Sequence, residues 1–313
     1  MALDPHIDAY LRRLSSAAAP LDLQAQRAAT EAGLRALQGP LEPVAAIETH
    51  TVPGHGGHPL RVRAYTPHGA APGAVLPALV YAHGGGWFQC SLELYDNPCR
   101  ALANATGCKV LSVDYRLAPE SKFPIPLEDV YAALTWVAAH AGMLGIDPAR
   151  IAIGGDSAGG NLAAAAAIMA RDRGGPPIAH QLLCYPVVDH AFSTASYQAY
   201  GQNFFLTEAV MRYCWFTYLV NERDGASPYA SPLRAELAGL PPATLLICEY
   251  DPLRDEGLAY AERLRQAGVA ARDEVLPGMV HACIHMLGLT PDARRLFDLA
   301  GAALREAFGL PAD

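Results

Sequence analysis

Four short segments of the sequence carry residue types suited to nucleophilic chemistry. The first is Gly155-Asp156-Ser157-Ala158-Gly159, which fits the pattern G-x-S-x-G. A serine in that setting sits on a sharp strand-to-helix turn, with its hydroxyl thrust out at the carboxyl end of the strand. The turn crowds the backbone, so small residues flank it. Residues 151–154 read as the strand, and a strong helix former starts at Asn161. That helix turns its positive N-terminal end toward the serine. The second segment is His83-Gly84-Gly85-Gly86-Trp87. Three glycines let backbone N–H groups approach a substrate with no side chain in the way. Such donors hold a developing oxyanion, and removing one typically costs about 2.7–4 kcal/mol in the barrier. The plainer readings are a flexible glycine turn or a phosphate cradle. A phosphate cradle would want G-x-x-x-x-G-K-[ST], and no lysine follows here.

The third segment is Asp251-Pro252-Leu253-Arg254-Asp255-Glu256-Gly257, at the end of a strand read over 244–249. An acid there orients and stabilises an imidazolium. Asp251 lies nearest the strand end and Asp255 lies within the following helix, so position favours Asp251. Asp251 also reads as an N-cap with Pro252 at N1, a common helix start that is compatible with catalysis. The fourth segment is Pro277-Gly278-Met279-Val280-His281, with His285 four residues on. Two histidines at that spacing suggest a metal pair on a helix. Zinc-protease usage needs H-E-x-x-H, and residue 282 is alanine, so no metal is expected. His281 sits where the last strand exits and ranks above His285. His83 precedes the serine in the chain, so a loop-holding role is expected for it. Ser157, Asp251, His281 is the serine–acid–histidine order of α/β-hydrolases, unlike two unrelated protease orders.

These residues need strands to place them. Leu3, Ile7, Tyr10, Leu11 and Leu14 recur at helical spacing, and residues 21–37 continue as helix until Gly39-Pro40. Two strand-like runs, 44–52 and 60–65, flank the turn-rich Pro53-Gly54-His55-Gly56-Gly57. From residue 76, short apolar runs at 78–82, 109–113, 151–154, 181–185, 244–249 and 272–276 alternate with helical segments. Those helices include 126–141, 158–171, 254–266 and 291–308. The pattern predicts an α/β fold with a mostly parallel, eight-stranded sheet covered by helices on both faces. Pro119 and Pro124 keep the stretch around 114–124 from being helix, and Asp114, Arg116 and Glu120 are expected to hold it by internal ion pairs. Residues 190–233 break the alternation, with one helix around 207–220. Nine of the 25 aromatics fall within 192–218. We expect a cap whose aromatics line an apolar pocket, against the plainer reading of core filling.

Composition narrows the classes further. Hydrophobic residues make up 51% and charged residues 17%, against about 25% charged in typical chains, so disorder is excluded as the main state. The net charge is −8, and only Lys109 and Lys122 among the 23 basic residues are lysines. No basic stripe exists, so nucleic acid is not an expected partner. The longest apolar run, 162–170, is about half of the roughly 20 residues a membrane helix needs. Asp4, His6 and Asp8 open the chain in a way that does not read as a secretory signal. Seven scattered cysteines without a CxxC pair predict reduced, mostly buried thiols and a cytoplasmic location.

With these motifs in hand, the chain resembles the hormone-sensitive-lipase-type carboxylesterases of the α/β-hydrolase fold. The resemblance rests on residues 83–87, Asp114-Tyr115-Arg116-Leu117-Ala118-Pro119-Glu120, Phe123-Pro124, residues 249–257, the loop at 278–281 and Gly155-Asp156-Ser157-Ala158-Gly159-Gly160-Asn161-Leu162. It implies Ser157 as nucleophile, His281 as general base and Asp251 as its orienting acid. It also implies an oxyanion hole from the N–H groups of Gly85, Gly86 and Ala158. One domain over 1–313 is expected, with a cap formed by residues 1–40 plus an insertion at about 190–225. Members of this family mostly hydrolyse short-to-medium acyl esters, need no cofactor or metal, and often form homodimers. Two departures stand out: His281-Ala282-Cys283 replaces the usual His-Gly-Phe, and Phe88-Gln89-Cys90-Ser91 is bulkier and more polar than the expected continuation. The first leaves the triad intact and changes the neighbouring pocket wall. Cys90 and Cys283 are expected as small apolar fillers.

The expected activity is therefore carboxylic ester hydrolysis through an acyl-enzyme. Amidase, lactonase or deacetylase chemistry on the same triad is the alternative, since the cap senses the leaving group. A non-catalytic ligand-binding protein on this fold is a more distant one, and it would be expected to lack a triad member.

Overall fold

The computed structural model describes residues 2–14 and 22–311. Residues 1, 15–21 and 312–313, which include part of the N-terminal stretch read as helix, lie outside the described residues. Eight strands form one sheet: β1 (Ala46–Pro53), β2 (Pro59–Thr66), β3 (Leu76–Ala82), β4 (Lys109–Val113), β5 (Ile146–Asp156), β6 (His180–Cys184), β7 (Ala243–Tyr250) and β8 (Ala271–Val280). Their order across the sheet is β1-β2-β4-β3-β5-β6-β7-β8. The hairpin β1–β2 and the pair β2–β4 are antiparallel, and every later pair is parallel. This is the mostly parallel, eight-stranded sheet expected from the alternation of strands and helices, in the α/β-hydrolase fold that the resemblance implies.

The helices are α1 (Pro5–Leu11), α2 (Leu23–Arg35), α3 (Asp96–Thr106), α4 (Ile125–Ala139), α5 (Ala158–Arg173), α6 (Ala195–Tyr200), α7 (Glu208–Tyr218), α8 (Arg254–Gln266) and α9 (Arg294–Phe308). Side chains alternate between the faces of a strand, and β3 shows the consequence. Ala78, Val80 and Ala82 join one buried core with Leu134 of α4, Leu162 of α5 and Leu264 of α8. Leu79 and Tyr81 join the other, with Leu102 of α3 and Phe297 of α9. A strand buried on both faces reads as a continuous apolar run, which is why these segments were visible in sequence.

Helix α3 was not expected. Pro98 lies in its first turn, where the missing N–H removes no intrahelical bond, and Asn and Thr dilute its apolar stripe. Gly107, at φ +70°, ends it in the left-handed conformation. The segment 114–124 is non-helical, as expected. Its charges pair outward rather than with one another: Arg61 with Asp114, Arg116 with the buried Asp129, and Arg27 with Glu120. Asp114 and Glu120 carry the same sign, and the partners that neutralise this loop lie on β2, α4 and α2.

Helix α5 carries the run Ala163–Ala164–Ala165–Ala166–Ala167, buried on all sides. Small side chains let it lie close to both the sheet and α4. The approach is tightest at Gly159, where a Cβ would stand 2.0 Å from the carbonyl oxygen of Ala82 on β3. Only a glycine permits that contact. The end of β3 and the start of α5 are thereby held together, and the glycine loop that follows β3 comes to lie next to Ser157.

Candidate active site

Ser157 links β5 to α5 with φ 55° and ψ −122°. This is a costly backbone conformation for a residue with a side chain. It presents Oγ at the carboxyl end of the sheet, and His281 Nε2 lies 2.8 Å from it. His281 follows directly after β8. Its Nδ1–H donates to Asp251 Oδ2 at 2.7 Å, which leaves Nε2 free to accept the serine hydroxyl. Asp251 is fully buried, and Ser157 and His281 are nearly so. The three residues singled out by order in the chain therefore lie in one hydrogen-bonded line.

The plainer reading of Asp251 as an N-cap does not hold. Helix α8 begins three residues later, with Leu253 at its cap position. Asp251 Oδ1 instead accepts the N–H of Leu253 at 2.9 Å. A short turn of this kind fixes the carboxylate by one oxygen and leaves the other for His281. The competing Asp255 faces elsewhere, accepting the N–H of Ser196 and pairing with Arg254.

Gly85 and Gly86 have φ of +111° and +58° and line the same cavity as Ser157. Their N–H groups meet no protein acceptor among the described residues. Ala158 is the first residue of α5, where N–H groups have no intrahelical partner. Gly84 is held differently: its N–H reaches Tyr95 Oη and Asp156 Oδ1, each at 2.9 Å. Asp156 also accepts the hydroxyls of Tyr81 at 2.8 Å and Tyr95 at 2.9 Å. Burial pushes its carboxyl above the ordinary range, opposed by the two tyrosine hydrogen bonds. This knot was missed in sequence, because Asp156 is a free position of its motif and nothing in the spacing links it to Tyr81 or Tyr95.

His83 lies outside the relay. It is buried, stacks on Tyr115 at 4.4 Å, and its backbone oxygen accepts the Tyr115 hydroxyl at 2.8 Å. A second clamp comes from the N-terminal region. Arg27 of α2 donates to the carbonyl oxygens of Phe88 at 2.6 Å and Ala118 at 2.9 Å. It grips both carboxylate oxygens of Glu120 at 2.8 Å.

The cavity above Ser157 measures about 320 Å³. A larger hollow of about 790 Å³ lies at the opposite end of the sheet, beside the starts of β6, β7 and β8. It holds none of the relay residues, and ligands in such sheets bind at the carboxyl ends of strands. The wall over Ser157 includes Leu34, Phe205, Leu206, Val210, Met211 and Cys214. Of the nine aromatics in 192–218, only Phe205 reaches it. The expected aromatic lining is thus corrected. Trp215 and Tyr218 instead pack against Trp87, at 4.6 and 4.4 Å between ring centroids, inside the core. They hold the segment down, and its aliphatic side chains face the cavity.

All seven cysteines are free and buried. Cys90 and Cys214 line the cavity, and burial pushes the Cys214 thiol up to about 12. Cys283 stands behind His281, with its sulfur 3.6 Å from that of Cys248. Among the described residues no cluster of His, Cys, Asp or Glu forms a metal-binding group. No helix among them is long and apolar enough to cross a membrane.

Comparison with known proteins agrees with this geometry. A family described by its alpha/beta hydrolase fold matches residues 79–285. The chain is 40% identical over 282 residues to carboxylesterase NlhH of Mycobacterium tuberculosis, covering 88% of each. It is 34% identical to an ethyl acetate hydrolase of Pseudomonas putida, covering 94% of this chain and 95% of that one. The crystal structure of a hyperthermophilic esterase from Pyrobaculum calidifontis superposes with a TM-score of 0.90 at 40% identity, covering 99% of this chain and 100% of that one.

Proposed function

The chain belongs to the α/β-hydrolase family, in its hormone-sensitive-lipase-type esterase branch, and from that membership we propose how this carboxylesterase works. Ser157 is the nucleophile. Its Oγ attacks the ester carbonyl carbon as its proton passes to His281 Nε2. The carbonyl electrons move onto oxygen, and that oxyanion takes hydrogen bonds from the N–H groups of Gly85, Gly86 and Ala158. Collapse breaks the bond to the alcohol oxygen, which leaves with the proton from His281. Water then enters, gives a proton to His281 and attacks the acyl-enzyme. The second collapse breaks the Ser157–acyl bond and releases the acid, and the proton returns to Ser157. Asp251 keeps the proton of His281 on Nδ1 throughout and stabilises the imidazolium.

The observation that carries this reading is the continuous relay from Ser157 through His281 to Asp251, at 2.8 and 2.7 Å, at the floor of an apolar cavity. At about 30 Å³ for each water-sized group, 320 Å³ holds roughly ten such groups, which favours short-to-medium acyl esters. Residues 1–313 act as one hydrolase domain. Helices α1 and α2 together with the insertion at about 190–225 serve as its cap, a role supported by Leu34 of α2 and Met211 of the insertion, both on the cavity wall. Seven free, buried thiols support a cytoplasmic location.

The test is turnover of an ester panel graded by acyl length, run beside Ser157→Ala. Activity on short and medium esters that vanishes in the variant is expected. A wild type inert on every ester, or a variant as active as wild type, overturns the proposal. Amide and lactone substrates in the same panel decide whether the leaving group is restricted to alcohols.

A further inference from the structure

His285 is the histidine that the relay leaves aside, yet it lines the same cavity. Its ring is 1% exposed and meets Tyr95 edge-on at 4.7 Å between centroids. Gln38, which follows α2, fixes its protonation. The Gln38 amide nitrogen donates to the carbonyl oxygen of Leu94 at 2.9 Å, and only the nitrogen end of an amide makes that bond. The second hydrogen of this nitrogen points to His285 Nδ1 at 2.8 Å. Nδ1 must therefore accept, so the neutral ring carries its proton on Nε2. Burial, reinforced by the nearby His83, pushes the pKa of His285 down to about 3, so the ring stays neutral through the working range. Nε2 makes no hydrogen bond within the described residues and is not among the buried atoms left without a partner, so this donor opens on the cavity. A neutral ring N–H facing a cavity is placed to donate to an acceptor on whatever occupies it. Three residues of the same lining are not its partners. Leu34 is apolar, Cys90 keeps its proton, and the Tyr95 hydroxyl is committed to Gly84 and Asp156.

We propose that His285 is a specificity-determining residue, whose Nε2–H donates a hydrogen bond to an oxygen acceptor that the substrate carries besides its reacting ester. The substrate class is an ester with an uncharged ketone, ether or second ester oxygen within reach of the cavity wall at His285 and Tyr95. An uncharged acceptor suits the site better than a carboxylate, because the buried Asp156 lines the same cavity. The proposal rests on the esterase reading above and adds a preference to it.

Two matched substrate pairs test it, one for each side of the ester. Ethyl 4-oxopentanoate against ethyl 4-methylpentanoate places the acceptor in the acyl part. The pair 2-ethoxyethyl acetate against pentyl acetate places it in the alcohol part. For each pair the ratio of kcat/KM is measured in wild type, His285→Leu and His285→Gln. In one pair the preference for the oxygenated ester should fall about tenfold or more in His285→Leu, chiefly through KM. His285→Gln, whose amide supplies a donor, should keep most of it. Ratios unchanged in both pairs, or equally lowered in Leu and Gln variants, overturn the proposal. Nitrogen-15 NMR of the wild-type histidines gives a readout that no folding defect confounds. Nδ1 of His285 should be bare and Nε2 protonated near neutral pH, and the reverse overturns the proposal. Wild type inert on all four esters would overturn the esterase reading itself, which distinguishes the two failures.

Discussion

Asp156 accepts the backbone N–H of Gly84 at 2.9 Å, so the residue before Ser157 grips the first glycine of the loop that faces it. The elbow and the glycine loop are thus one hydrogen-bonded assembly, and the spacing between serine and backbone donors does not depend on loop stiffness alone.

Breaking that grip should slow turnover without greatly changing affinity. Asp156→Ala strands the buried hydroxyls of Tyr81 and Tyr95 and leaves Gly84 held by Tyr95 alone. We expect kcat to fall on the order of 10²-fold, the scale of losing one oxyanion donor, with a smaller change in KM. Asp156→Asn keeps the Oδ1 acceptor and should fall between. Steady-state kinetics beside thermal melts checks this; full kcat in a folded alanine variant would contradict it.

Asp251→Asn should be far worse than its near-isosteric shape suggests. The Leu253 N–H demands an oxygen at the Oδ1 position, so the new amide nitrogen falls opposite His281 Nδ1. A donor there drives the ring proton to Nε2, where it blocks acceptance from Ser157. A loss of about 10⁴-fold in kcat is expected, as for the same change in other Ser-His-Asp enzymes. Asp255→Asn, in the same segment but off the relay, should cost only a few-fold.

Gly85 and Gly86, the two loop glycines on the cavity, should respond differently to a methyl group. In Gly86→Ala the new Cβ stands 2.4 Å from the sulfur of Cys214, a side chain. In Gly85→Ala it stands 2.3 Å from the backbone oxygen of Gln89, at φ +111°. Both should lose activity by about 10²-fold, the scale of one displaced oxyanion donor. Adding Cys214→Ala should recover part of the loss for Gly86→Ala and none for Gly85→Ala. Kinetics of the two double variants decides, and equal recovery in both would refute the distinction.

Acid should erode stability through His180. Burial lowers its pKa from 6.5 to about 4, and its Nε2 meets Thr244 Oγ1 at 2.9 Å. Above pH 6.5 the ring is neutral both folded and unfolded, and the contribution is fully present. Below that the unfolded chain takes up a proton that the folded chain refuses, and stability is lost as pH falls toward 4. The slope is about 1.4 kcal/mol per pH unit. The buried carboxyls of Asp156 and Glu256, raised by burial, act in the opposite direction. The measurement is therefore a difference in Tm between wild type and His180→Gln from pH 7 to pH 5. The wild-type advantage should shrink as pH falls; a constant gap would contradict the assignment.

Much of the scaffold was readable in sequence, because a strand buried on both faces must be apolar along its length. The strand 109–113 and the helix 254–266 were placed to the residue. The order Ser157, Asp251, His281 was readable for a different reason: each residue sits where a strand ends, and strand ends are marked by the apolar run stopping. Helix α3 was not readable, since its stripe is mixed and Pro98 looks like a breaker. The alternative reading of Asp251 as an N-cap fails because α8 starts later than the Asp-Pro pair suggests, with Leu253 at its cap position. The partners that lock protons and loops, Gln38 for His285, Tyr81 and Tyr95 for Asp156, Arg27 for the glycine loop, lie tens of residues or more away in the chain. Such pairings are products of tertiary packing, and local spacing carries no trace of them.

The Arg27 clamp bears on how this pocket can be reshaped. One guanidinium joins α2, the exit of the glycine loop at Phe88 and the turn at Ala118–Pro119–Glu120. Residues engineered on that side of the cavity therefore share a mechanical frame with the backbone donors, and remodelling there trades reach for rate. The side formed by Val210 and Met211 belongs to α7, a separate helix anchored through Trp215 and Tyr218 to Trp87. Libraries aimed at bulkier substrates should begin with Val210 and Met211 and keep Cys214, Trp215 and Tyr218, through which α7 bears on Gly86 and Trp87.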